Sequence, residues 1–135
     1  MWQIENLGAG MTQKLAFIIE DNVELGYIYA AALEMSNFKV ERLIDGKSAV
    51  DRLEAMVPDL IVLDLNLPYV SGQHIYHQLR SDQRFDHTPI IIATANSLLA
   101  ETLPSQLTGQ DCLMIKPVSP SKLRELTRQL YPQQV

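Results

Sequence analysis

Asp64 closes a run of four apolar residues, Leu60 to Leu63; Asn66 follows two positions later and Pro68 ends the segment. An acid placed there is either a turn former or a carboxylate carried to a strand end for chemistry. Three other apolar runs end the same way. "LAFII" stops at Glu20-Asp21, "PIIIA" at Thr94, and "CLMI" at Lys116-Pro117. Taken singly, each has an ordinary reading as an acidic first turn, a helix cap or a solvated lysine. Four together, each at the end of a separate strand, point to a site. Three carboxylates held close repel one another unless a cation lies between them, and a hard divalent ion such as Mg²⁺ suits them. A lysine and a threonine hydroxyl beside them suit a phosphoryl group, with one carboxylate as acceptor and the others holding metal.

The elements that must position these groups alternate along the chain. "LAFII", "FKVERL", "DLIVLD", "PIIIAT" and "CLMI" read as strands. Between and after them lie amphipathic stretches. Asn22 is placed to cap a helix carrying Leu25, Ile28, Ala32 and Met35, and "DGKSAVDRLEAM" and "SGQHIYHQLR" follow the later strands. The last helix has Ser119 as N-cap, Pro120 at its first position and Leu123, Leu126 and Leu130 on one stripe. Strands that are unbroken apolar runs imply a parallel sheet covered on both faces. In such a sheet the strand carboxyl ends share one edge, where ligands bind. The expected fold is therefore α/β, a (βα)5 sandwich around a five-stranded parallel sheet.

Composition bounds the rest. The 135 residues suffice for one domain with a sizeable core. A net charge of −5 without any Lys/Arg cluster argues against nucleic-acid binding. No apolar run approaches the ~20 residues of a membrane helix, so no membrane partner is expected. One cysteine, Cys112, excludes an internal disulfide and fits a reducing cytoplasm. Residues 1–13 read as an N-terminal extension and residues 14–132 as the folded domain.

Five motifs in order carry a family resemblance: "ED" at Glu20-Asp21, "DG..A" at Asp45, Gly46 and Ala49, "PDLIVLDLNLP...G" from Pro58 to Gly72, "TA" at Thr94-Ala95, and "KP" at Lys116-Pro117. The chain resembles a CheY-like response-regulator receiver domain of two-component signalling. The resemblance implies a flavodoxin-like fold with strand order 2-1-3-4-5. It makes Asp64 the acceptor of a phosphoryl group from a phosphohistidine, and Glu20, Asp21, Asp64 and the Asn66 backbone carbonyl the ligands of Mg²⁺. Lys116 would pair with a phosphate oxygen and Thr94 would turn its hydroxyl toward the phosphoryl group. A cis Lys116–Pro117 bond fits the same pattern. The implied partners are a sensor histidine kinase or a phosphotransfer protein, and a downstream protein recognised through phosphorylation-dependent contacts. A phosphorylation-dependent dimer is compatible with the family. The chain would be a signalling domain rather than an enzyme, catalysing at most its own phosphotransfer and dephosphorylation.

Two departures bear on output. Leu113 stands where the family usually has a switching Tyr or Phe, and Val118 replaces the aromatic after Lys-Pro. Pro104 falls within the fourth helical stretch, so that helix is expected to start near Pro104, leaving "NSLLAE" irregular or separately turned. These features favour, as an alternative, a receiver-fold interaction module with weak switching. A haloacid-dehalogenase-like phosphatase also uses an aspartyl nucleophile and Mg²⁺. Its nucleophile, however, follows the first strand and has a second Asp two residues on, where Asn66 stands here. His74, His77 and His87 are expected at the surface, Tyr27 and Tyr29 in packing or at the surface, and Met35, Met56 and Met114 in the core.

Overall fold

The computed structural model describes residues 13–103, 107 and 109–132; the extension over residues 1–12 and Pro104 lie outside the described residues. Five strands, β1 (Lys14–Ile19), β2 (Phe38–Leu43), β3 (Leu60–Asp64), β4 (Ile90–Thr94) and β5 (Cys112–Ile115), alternate with helices. The helices are α1 (Val23–Met35), α2 (Gly46–Ala55), α3 (Gly72–Arg80), α4 (Ser97–Thr102) and α5 (Pro120–Leu130), with one 3₁₀ turn at Gln83–Phe85. All pairings are parallel and the order is β2-β1-β3-β4-β5. This is the doubly wound, flavodoxin-like arrangement that the resemblance implied.

Strand alternation splits the core in two. Ala16, Ile18, Leu60, Val62, Ile91, Ala93 and Met114 face the α1 and α5 side, with Tyr29, Leu33, Leu123 and Leu126. Phe17, Ile19, Ile61, Leu63, Ile90 and Ile92 face the α2 and α3 side, with Leu53, Ile75 and Leu79. The expected caps are in place: Asn22 accepts from Leu25 N–H at 3.0 Å and Ser119 from Lys122 N–H at 3.1 Å. Asp45 caps α2 through Ser48 N–H at 2.7 Å. The following Gly46 serves close packing, since a Cβ there would lie 2.6 Å from the Val70 Cβ.

Two expectations are corrected. Met35 and Met56 are exposed, and only Met114 of the three methionines is core. On α1 the buried face is Gly26, Tyr29, Ala30, Ala32 and Leu33; of the expected stripe, Ala32 is buried and Leu25 packs against the core, whereas Ile28 and Met35 are exposed. That helix is apolar nearly all round, so periodicity alone does not select its inner face. The second concerns "NSLLAE", where Ser97–Thr102 forms the helix α4 in place of an irregular stretch; the expected helix start near Pro104 lies outside the described residues. Asn96 organises its start, accepting from Leu98 N–H at its Oδ1 and from Ala100 N–H at its carbonyl, each at 3.0 Å. Proline disfavours the α conformation in the residue before it, consistent with a helix that stops at Thr102.

Candidate functional site

Strand register brings the polar groups to one edge. Ile19 pairs with Leu63, so Glu20 emerges level with Asp64; Asp64 pairs with Ala93, and Thr94 with Ile115. Lys116 follows directly. Alternation then sorts them by face. Asp64, in step with Leu60 and Val62, belongs to the α1/α5 side, and one residue further along their strands Glu20 and Lys116 do too. Thr94 is in step with Ile90 and Ile92, on the opposite side.

Glu20 and Asp64 are buried and Asp21 is exposed. Lys116 Nζ lies 2.9 Å from Glu20 Oε1 and 3.1 Å from Asp64 Oδ2. The other Asp64 oxygen, Oδ1, accepts from Asn66 N–H at 2.9 Å, and Glu20 Oε2 accepts from Asn22 N–H at 3.2 Å. Burial, reinforced by the neighbouring Asp64, pushes the Glu20 carboxyl up to about 7, against the lowering effect of Lys116. Burial acts to lower the Lys116 amine, but its bonds to Glu20 and the charge of Asp64 raise it overall. One ammonium thus serves two buried acids.

Carboxylate oxygens of Glu20, Asp21 and Asp64 lie within 4.8 Å of one another. Three oxygen donors of that spacing, two of them buried, fit a hard divalent cation that keeps several waters. The sequence-predicted set is therefore assembled: Glu20, Asp21, Asp64 and Lys116 meet, and Asn66 contributes its N–H while its side chain points to solvent. Thr94 is buried at the same rim with its Oγ1 accepting from Asn96 N–H at 3.0 Å, and its carbonyl accepts from Lys116 N–H at 2.8 Å. The Lys116–Pro117 bond is cis. Leu113 is half-buried against the α2/α3-side core. His74, His77 and His87 are exposed, away from these acids in sequence and at the surface as expected.

The backbone seat of the site was not apparent from sequence. A Cβ on Gly72 would lie 2.1 Å from the Asp64 carbonyl oxygen. The glycine of the "P...G" motif is thus a packing requirement beneath Asp64 itself. A second feature is a buried network on the opposite edge. Arg80 bonds both Asp111 oxygens, at 2.9 and 2.7 Å, and the Phe85 and Thr88 carbonyls. Asp111 also accepts from the Tyr76 hydroxyl at 2.7 Å and from Ile90 N–H at 3.0 Å.

Residues 16–128 match the family model described as the response regulator receiver domain. Over 113 residues the chain is 34% identical to the phosphate regulon transcriptional regulatory protein PhoB of Rhizobium meliloti (strain 1021), covering 84% of this chain and 49% of PhoB. It is 30% identical to the polar-differentiation response regulator DivK of Brucella ovis, covering 78% of this chain and 86% of DivK. The chain thus spans about half the length of PhoB and most of DivK. Among solved structures, the receiver domain of a sensor histidine kinase from Pseudomonas aeruginosa PAO1, which has a magnesium ion coordinated in its active site cleft, superposes with a TM-score of 0.76. It is 25% identical, over 88% of this chain and 98% of that one.

Proposed function

This chain belongs to the response-regulator receiver family, and from that premise we propose that Asp64 is its phospho-acceptor. Phosphoryl acceptance is the standard function of the family, and a receiver is a signalling domain rather than a classical enzyme. The observation that carries the assignment is the environment of Asp64: a buried carboxylate at a strand end, with Lys116 on one oxygen and the Asn66 N–H on the other. Those two donors orient the carboxylate toward the rim, where a donor can approach.

In the proposed step an Asp64 oxygen attacks the phosphorus of a phosphohistidine. A P–O bond forms, the P–N bond breaks, and the imidazole leaves with the electron pair and takes up a proton. Glu20, Asp21 and Asp64, with the Asn66 carbonyl, would hold Mg²⁺, which supplies charge neutralisation on the transferring oxygens. Lys116 pairs with a phosphoryl oxygen, and Thr94 turns its hydroxyl to another. The donor is a sensor histidine kinase or a phosphotransfer protein, the classes with which receiver domains interact. We further read residues 14–132 as the receiver unit, acting in the cytoplasm through protein contacts that differ between its two states.

The test is intact mass after incubation with a small phosphodonor and Mg²⁺. One phosphoryl adduct is expected in the wild type and none in Asp64→Asn or without metal. An unchanged adduct in the variant overturns the assignment.

A further inference from the structure

Tyr29 is fully buried, and its Oη has no hydrogen-bond partner. An unsatisfied buried hydroxyl carries an uncompensated desolvation cost, so its retention in a core asks for a reason. Its position supplies one. Side chains on a helix lean toward the helix N-terminus. The N-terminus of α1 follows immediately after Glu20 and Asp21, at the carboxyl edge of the sheet. The Tyr29 ring lies in the α1/α5-side core with Val62, Ala93, Met114 and Val118, below the face on which Glu20, Asp64 and Lys116 emerge. Its phenol is within electrostatic reach of those same three charges. Burial raises the phenol above its ordinary range despite the pull of Lys116, so it stays a protonated donor.

A matching acceptor stands in the same place. Glu20 Oε1 is buried, and the Lys116 ammonium 2.9 Å away is its partner. If Lys116 shifts from Glu20 to follow a phosphoryl oxygen on Asp64, Glu20 Oε1 loses that partner. A buried carboxylate oxygen would then face the core with nothing to pair with, unless a donor lies below it.

We propose that Tyr29 is a positioning residue for Glu20: when Lys116 turns to the phosphoryl group, the Tyr29 hydroxyl donates to the Glu20 carboxylate, directly or through one water, and holds it in place for the cation. The inference rests on the functional reading above. The hydrogen bond to Glu20 belongs to the loaded state.

Tyr29→Phe removes the hydroxyl and keeps the ring. In the metal-free protein the variant should melt at a higher temperature, by about 3 °C or more, because an unpaired polar group is gone. Its dissociation constant for Mg²⁺, from melting-temperature titration with and without beryllofluoride, should rise about threefold to tenfold, the value of one hydrogen bond. A variant with unchanged Mg²⁺ affinity in both titrations overturns the inference, and so does a lower metal-free melting temperature, which would show the hydroxyl already paired. If the wild type neither binds Mg²⁺ nor takes a phosphoryl group, the functional reading fails and the inference with it. If the wild type does both and Tyr29→Phe matches it, the inference fails alone.

Discussion

Gly72 has no room for a side chain. A Cβ there would stand 2.1 Å from the Asp64 carbonyl oxygen and 2.5 Å from the Leu65 Cα, and both obstacles are backbone. Backbone cannot rotate aside as the end of a flexible side chain can. Gly72→Ala is therefore expected to cost about 2–4 kcal/mol of stability, the range of a severe overpacking change, measured by urea unfolding. Because the displaced atoms belong to Asp64, the proposed acceptor, and to Leu65, the rate of labelling by a small phosphodonor should fall in the fraction that remains folded. A stable variant with normal labelling would show that α3 can retreat from β3. In the sequence this glycine is only one letter of a motif. Its reason, contact with a carbonyl eight residues earlier, exists only in three dimensions.

At the scale of elements, Thr94 links the site to α4. Its Oγ1 holds the Asn96 N–H, and Asn96 in turn organises the first turn of the helix through Leu98 and Ala100. A Thr94 hydroxyl drawn to a phosphoryl group gives up that N–H. The start of a six-residue helix then loses one of the bonds that fix it. No aromatic movement is needed, and Leu113 at the usual switch position is already half-buried. Hydrogen exchange should therefore change across residues 96–118 when beryllofluoride and Mg²⁺ are added. A change confined to residues 64–72 would favour the non-switching interaction module. The elements themselves were legible from sequence wherever one face was unambiguous: the five apolar runs and the Leu123–Leu130 stripe. They were less so on α1, where "YIYAAALEM" offers apolar residues on every side. There the inner face is chosen by close approach, with Gly26 seated against the Arg42 guanidinium, a Cβ–Nε separation of 3.3 Å for an added Cβ. The site residues were legible because parallel strands must end together, whereas the Arg80–Asp111 network was not, since 31 residues separate its partners and no periodicity reports them.

For the molecule as a whole, that network is the main polar tie on the edge away from the site. The Asp111 side chain is 0% exposed, and its charge is balanced by Arg80 and by two further donors, Tyr76 and Ile90 N–H. Removing one partner of such a pair leaves an uncompensated charge in the interior. Arg80→Met should therefore destabilise the domain by about 3–5 kcal/mol in denaturant unfolding. Phosphodonor labelling of the folded protein at Asp64 should stay near the wild-type rate, and a selective loss of labelling would show that the two edges are coupled. The seat of Gly72 gives the rim a mechanical handedness. Strand β3 is braced from below by the backbone of α3, so charge added at Asp64 finds no relief by movement on that side. Relief has to come from Thr94 and Lys116, side chains at the ends of β4 and β5. On the proposed function the domain would act as a one-way transmission, with the displacement from Asp64 delivered on the α4 side.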